Sequence, residues 1–211
     1  MEEKIATIIA FRKRIIMKKN RQAEIAKSLT GKELIFHLLL TQAFIILLAV
    51  IFIWILSSHI SNFFNLFIWD TIWIVAGVVS ALVVVSIDLL LMKKVPPEYY
   101  DDGGINEKIF SKMSAWKVAL LSILIAFAEE LLFRGAIQTH FGFWAASIIF
   151  ALVHFRYLTN WYLFLNVCLL SIWIGLLYEW SGQQILPVIF MHFTIDFLLG
   201  IKMSRNSVHN D

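Results

Sequence analysis

Long apolar stretches constrain this chain more than any other feature. Residues 34–56, 66–92, 115–138, 141–155, 159–180 and 185–201 carry few charged side chains. A helix rising 1.5 Å per residue needs roughly 20 residues to cross a hydrocarbon core of ~30 Å, and these six stretches come near that length. Backbone polar groups in lipid must be satisfied within the segment that carries them, so each stretch is read as helix. The expected fold is all-α: a polytopic membrane helical bundle of about six transmembrane helices. The fourth and sixth stretches are the shortest, which fits a locally thin bilayer or ends shielded by neighbouring helices. Periodicity does not locate their buried faces.

Composition agrees, because 60% apolar and 16% charged residues leave too little polar surface to cover a water-facing fold. The net charge of +3 therefore does not argue for nucleic-acid binding. The one cysteine, Cys168, has no disulfide partner and excludes a Cys-rich metal site. The short apolar run at residues 5–11 precedes its basic cluster, the wrong order for a cleaved signal peptide, so the chain is expected to keep its N-terminus.

Connections and charge suggest the organisation. Residues 1–33 form a basic segment, cytoplasmic or interfacial, with Ile8, Phe11, Ile15, Ile16, Ile25 and Leu29 among its cations. Residues 34–201 form the membrane bundle and 202–211 a short polar tail. The segment before the first span holds nine Lys or Arg, and residues 93–112 hold four more. The positive-inside rule places both on the cytoplasmic side, with a multi-pass chain in the cell membrane. Trp54, Trp69, Trp116, Trp161 and Trp180 fall near span ends, where indole rings sit among headgroups. The Pro- and Asp-rich connection at 95–104 reads either as a solvated connector or as a loop facing a substrate.

Glu129, Glu130, Arg134, His154, His192 and Asp196 lie within or near apolar spans. An ionised group at the bilayer centre costs ~2.5 to 3.5 kcal/mol on insertion scales, so such groups are expected to face one another inside the bundle. Glu130 and Arg134 share a helix face, whereas Glu129 is rotated by about 100° from Glu130, giving the two glutamates room for separate tasks. His192 and Asp196 are one turn apart, and Phe150 shares a face with His154 as a candidate pocket wall. A carboxylate in a low-dielectric cavity gains basicity and can take a proton from water, and a second imidazole can stabilise the resulting oxyanion. Those residue types suit an enzyme, a transporter and a structural scaffold alike.

Glu129-Glu130-Leu131-Leu132-Phe133-Arg134-Gly135, Phe150-Ala151-Leu152-Val153-His154 and His192-Phe193-Thr194-Ile195-Asp196 resemble, in order, three motifs of the CPBP family. These are intramembrane endopeptidases related to the type II CAAX prenyl protease, often called the Abi family in bacteria. The resemblance marks 115–201 as a protease-like core. It implies a glutamic-type peptidase that hydrolyses a peptide bond of a membrane-associated peptide or protein. Glu129 would activate water as general base, His154 would orient that water, and Glu130 and Arg134 would support them. His192 falls on a histidine position near the developing oxyanion. Asp196 stands where the family has asparagine, and an ionised aspartate cannot donate a hydrogen bond. Either Asp196 is protonated, or it orients His192 and leaves donation to the imidazole. No cofactor or metal is implied, although Glu129, His154, His192 and Asp196 are chemically capable of binding zinc; the His-Glu-x-x-His pattern is absent. A non-catalytic bacteriocin-immunity or membrane-interaction protein and a small transporter are the rival functions. The expected partners are the bilayer and a membrane peptide or protein, with no nucleic acid. No feature selects a prenylated peptide or sets an oligomeric state.

Helical rise allows Glu129 and His192 to stand level on antiparallel helices. His154 is about five residues farther from the start of its span, a mismatch of ~7.5 Å unless Phe141-Gly142-Phe143 belongs to a loop. Mid-span Asn166 calls for a helix–helix hydrogen bond, and Gly77 and Gly175 for close helix contacts.

Overall fold

The computed structural model describes residues 28–56 and 64–209, in which every regular element is helical. α1 (Gly31–Leu56) begins ahead of its apolar run because Thr30-Gly31-Lys32-Glu33 forms a capping box. The Thr30 N–H donates to Glu33 Oε2 at 2.7 Å and the Glu33 N–H to Thr30 Oγ1 at 3.3 Å, satisfying donors that a helix start leaves free. α2 (Thr71–Met92) begins later than its apolar run. Asp70 caps it, accepting from the Ile72 and Trp73 N–H groups at 3.0 and 3.3 Å.

The connection that follows is ordered, with a 3-10 turn at Pro97–Tyr99 and a short α3 (Ile105–Phe110). α4 (Ala115–Glu130) runs directly into a π-helical segment, Leu131–Gln138, and one last turn, Thr139–Phe141. Gly142 breaks the chain at φ 85° before α5 (Phe143–Val153). A 3-10 turn, Phe155–Thr159, leads to α6 (Trp161–Trp180) and then α7 (Ile185–His209).

α7 is the hub, packed against α2 and α4, while α1 covers the π segment and α5 leans on α6. Gly77 allows the α2–α7 contact, since a Cβ there would run into the Pro187 carbonyl oxygen. Gly175 admits the Phe143 ring in the same way. Asp88 accepts from the Tyr162 hydroxyl at 2.8 Å and from the Asn166 amide at 2.9 Å, so the mid-span asparagine has its interhelical bond. The polar C-terminal stretch continues α7 instead of leaving it: Gly200 abuts Val118 and Phe110, and the Ser204 hydroxyl donates to the Met113 carbonyl at 2.6 Å.

Four described helices are long and apolar enough to cross a bilayer: α1, α2, α6 and α7 up to Arg205. α5 has 11 residues, a rise of ~16 Å, about half the hydrocarbon thickness. The bundle's outer face is apolar, with Trp54 82% and Ile72 80% exposed among many large hydrophobic side chains. Water does not tolerate so large an apolar face on a monomer, and lipid does. The chain is an all-α, multi-pass membrane protein. The interfacial reading of the N-terminal segment falls, up to residue 27, outside the described residues.

Candidate active site

The motif residues meet where α4, the end of α5 and α7 converge. The π segment shapes this region. The Thr139 N–H bonds to the Arg134 carbonyl five residues back, and the Thr139 hydroxyl donates to the same oxygen at 2.9 Å. The extra residue per turn changes the helix face, and all eight residues of Leu131–Gln138 are buried.

Glu130 and Arg134 form the sealed part. Both side chains are fully buried, with Arg134 Nε 3.3 Å from Glu130 Oε2. Arg134 Nη2 donates to the Ser171 carbonyl at 3.2 Å, and the guanidinium carbon lies 5.1 Å from the Phe150 ring centre. A carboxylate, a carbonyl and an aromatic face thus surround one buried cation. The second Glu130 oxygen accepts from His192 Nδ1 at 2.7 Å, an ionised carboxylate having no proton to give. That bond turns His192 Nε2 toward Asp196, whose Oδ2 is 3.6 Å away.

His154 ends α5. Its Nδ1–H donates to the Phe150 carbonyl at 2.8 Å, leaving Nε2 with a lone pair to offer. Phe150 walls the region, with its ring centre 4.6 Å from that of His154 and 6.5 Å from that of His192. Glu129 lies within electrostatic reach of His192, Glu130 and Arg134, and Asp196 within reach of His192, Glu129 and His154. Three sequence motifs therefore form one polar cluster. Burial divides it: Glu130 is wholly enclosed, whereas Glu129 and His154 are half-buried and the Asp196 side chain is 27% exposed.

Glu130 holds His192 and Arg134 directly, while Glu129 lies near the same two groups and near Gln42; the Glu130–Arg134 ion pair has the i, i+4 spacing expected of it. Gly142 is the break, and with α5 starting at Phe143 the depth mismatch shrinks by two residues, ~3 Å at helical rise. Three polar contributors escaped the sequence reading. Gln42, 2% exposed on α1, lies beside Glu129. Its position in the middle of an apolar span was an available signal. Ser171 serves Arg134 through its backbone carbonyl, which no residue type announces. Tyr157 stacks on His154 at 6.0 Å and 20°, and a tyrosine three residues past a histidine carries no such signature by itself.

The family described as type II CAAX prenyl endopeptidase Rce1-like matches residues 111–198. Among curated proteins, the chain is similar to "Uncharacterized protein YpbD" of Bacillus subtilis (strain 168), with 47% identity over 149 residues, covering 68% of this chain and 77% of that protein. No solved structure matches it. The matched residues span every polar member of the cluster except Gln42. The chain belongs to the Rce1-like CAAX protease family, as a membrane-embedded hydrolase whose buried Glu130–His192 pair is consistent with a glutamic-type intramembrane protease.

Proposed function

We propose that the protein hydrolyses a peptide bond of a membrane-associated peptide or protein, with Glu129 as general base and His154 as the group that orients the attacking water. Water's oxygen adds to the carbonyl carbon while its proton passes to the Glu129 carboxylate. The C–N bond then breaks and the leaving amine takes that proton. His154 Nε2 accepts a hydrogen bond from the water's other O–H, which stays on the oxygen, as its donating Nδ1 leaves it free to do. His192 stands at the oxyanion side; with Nδ1 committed to Glu130, its Nε2 donates there when both ring nitrogens carry protons. Asp196 orients that nitrogen, Glu130 and Arg134 hold the frame, and Phe150 closes one wall.

The carrying observation is that both imidazoles have Nδ1 pinned, one by a carbonyl and one by a carboxylate, within a cluster whose open members include Glu129. We read the hydrolysis as metal-independent. Stoichiometric zinc whose removal reversibly abolishes cleavage would contradict that.

The reading includes six traverses: α4 with its π continuation and the short α5 join the four long helices. Residues 34–201 then form the bundle around a protease-like core at 115–201, with the basic segment 1–33 and the tail 202–211 cytoplasmic. Labelling of single cysteines at residues 94, 140, 158 and 183 from either side of sealed vesicles tests that order. The activity test is cleavage of a transmembrane-peptide library in proteoliposomes, read as new termini by mass spectrometry. Termini that form with the parent and not with Glu129→Gln support the assignment; identical profiles refute it.

A further inference from the structure

We propose that Tyr157 is a positioning residue for His154, held over the imidazole by the connection between α2 and α4. The inference rests on His154 acting in the site described above.

His154 ends its helix and is fixed by one hydrogen bond, from Nδ1 to the Phe150 carbonyl. That bond alone leaves the ring free to tilt about it. The Phe150 and Tyr157 rings both lie against it, the first at 4.6 Å and 33°, the second at 6.0 Å and 20°. Phe150 is 2% exposed and locked in the core. Tyr157 lies in the 3-10 turn after α5 and needs support from outside that turn.

The α2–α4 connection supplies it. The Tyr157 hydroxyl accepts from Arg156 Nη2 at 2.6 Å and from the Asn106 amide at 3.3 Å. Arg156 pairs with Asp102 at 3.5 Å, and Asp102 in turn caps α3, accepting from the Ile105 and Asn106 N–H groups at 3.1 Å each. The Asn160 amide fastens the same connection through the Asp101 carbonyl at 3.1 Å. Asp102, Arg156, Asn106 and Tyr157 thus run as a strap from the connection to the imidazole. Asn106 also accepts from Arg156 Nη2 at 3.5 Å with its amide oxygen, so the same side chain holds both ends of the strap. A side chain that fixes a reacting group's angle affects turnover more than binding.

The test uses the full chain in phosphatidylethanolamine–phosphatidylglycerol vesicles. The activity probe is a quenched fluorescent transmembrane peptide cleaved by the parent and not by Glu129→Gln. The second readout is the His154 imidazole NMR resonance in histidine-labelled protein. Tyr157→Phe keeps the ring but removes the hydroxyl that the strap holds, so it is expected to lower kcat less than loss of the ring does and to broaden the His154 resonance without moving it. Tyr157→Leu is expected to lose about tenfold or more in kcat with KM little changed, and to move the His154 resonance downfield as the stacked ring is lost. Asp102→Ala, which leaves the ring present and releases the strap, should lower kcat less and broaden the same resonance. A leucine variant with parental kcat, a loss confined to KM, or an unmoved His154 resonance overturns the proposal. Should no peptide be cleaved even by the parent, the proteolytic reading fails, and the resonance comparison still decides whether Tyr157 positions His154.

Discussion

His192 Nδ1 lies 2.7 Å from Glu130 Oε1, and this bond joins the hub helix α7 to α4 where α4 turns into its π segment. Glu130 meets Arg134 with its other oxygen, so one carboxylate holds both an imidazole and a guanidinium. Removing one partner of a buried ion pair strands the other charge, at a cost of roughly 3–5 kcal/mol. Glu130→Ala is therefore expected to be strongly destabilising in denaturant unfolding of the detergent-solubilised protein. The double variant Glu130→Leu/Arg134→Met should be less destabilised than Glu130→Ala, because no charge remains unpaired.

Gly77 and Gly175 both sit under a neighbour, and they should respond differently to a methyl group. At Gly77 the obstacle is the Pro187 backbone carbonyl, which moves only if α7 moves. At Gly175 the nearest atom is Phe143 Cε2 at 2.8 Å, part of a ring at the start of α5 that can give way. Gly77→Ala is expected to cost about 1–3 kcal/mol and Gly175→Ala less, measured as the two shifts in Tm under one detergent condition.

Asp196 is the partly open neighbour of His192 Nε2. An asparagine fits the same space and either accepts from that nitrogen or donates toward the oxyanion, whereas leucine does neither. Asp196→Asn should retain much of the peptidase rate, and Asp196→Leu should lose roughly 10²-fold or more in kcat. Equal losses in both variants would show that the charge matters more than the hydrogen bond.

Gln42 places a buried amide beside Glu129 from α1, outside the residues that match the family. One hydrogen bond is worth about 0.5–1.5 kcal/mol net, so Gln42→Leu should lower kcat by up to about tenfold with normal abundance in the membrane. An unchanged rate would remove Gln42 from the site.

The membrane fold was legible because apolar length and backbone satisfaction leave helices as the economical solution. Caps then moved the ends: Thr30–Glu33 advanced α1 and Asp70 delayed α2, both readable from residue type once attention shifts from hydropathy to side-chain oxygens. The short α3 was hidden in a connection dominated by Pro, Asp and Gly. The π segment was not legible, since Leu131–Gln138 has ordinary helical composition and the change from four- to five-residue hydrogen bonding is decided by packing. The polar cluster was legible through the cost of charge in lipid, which singled out Glu130, Arg134 and His192. The direct Glu130–His192 bond was not, because helix geometry relates residues four apart and says nothing of a partner 62 positions away.

The most direct measurement is peptide profiling of membranes that contain the parent chain or Glu129→Gln at matched abundance. The substitution keeps the side chain's size and removes its capacity as a base. The account predicts cleavage products that are present with the parent and absent with the variant. Product sets that coincide in both membranes would contradict it.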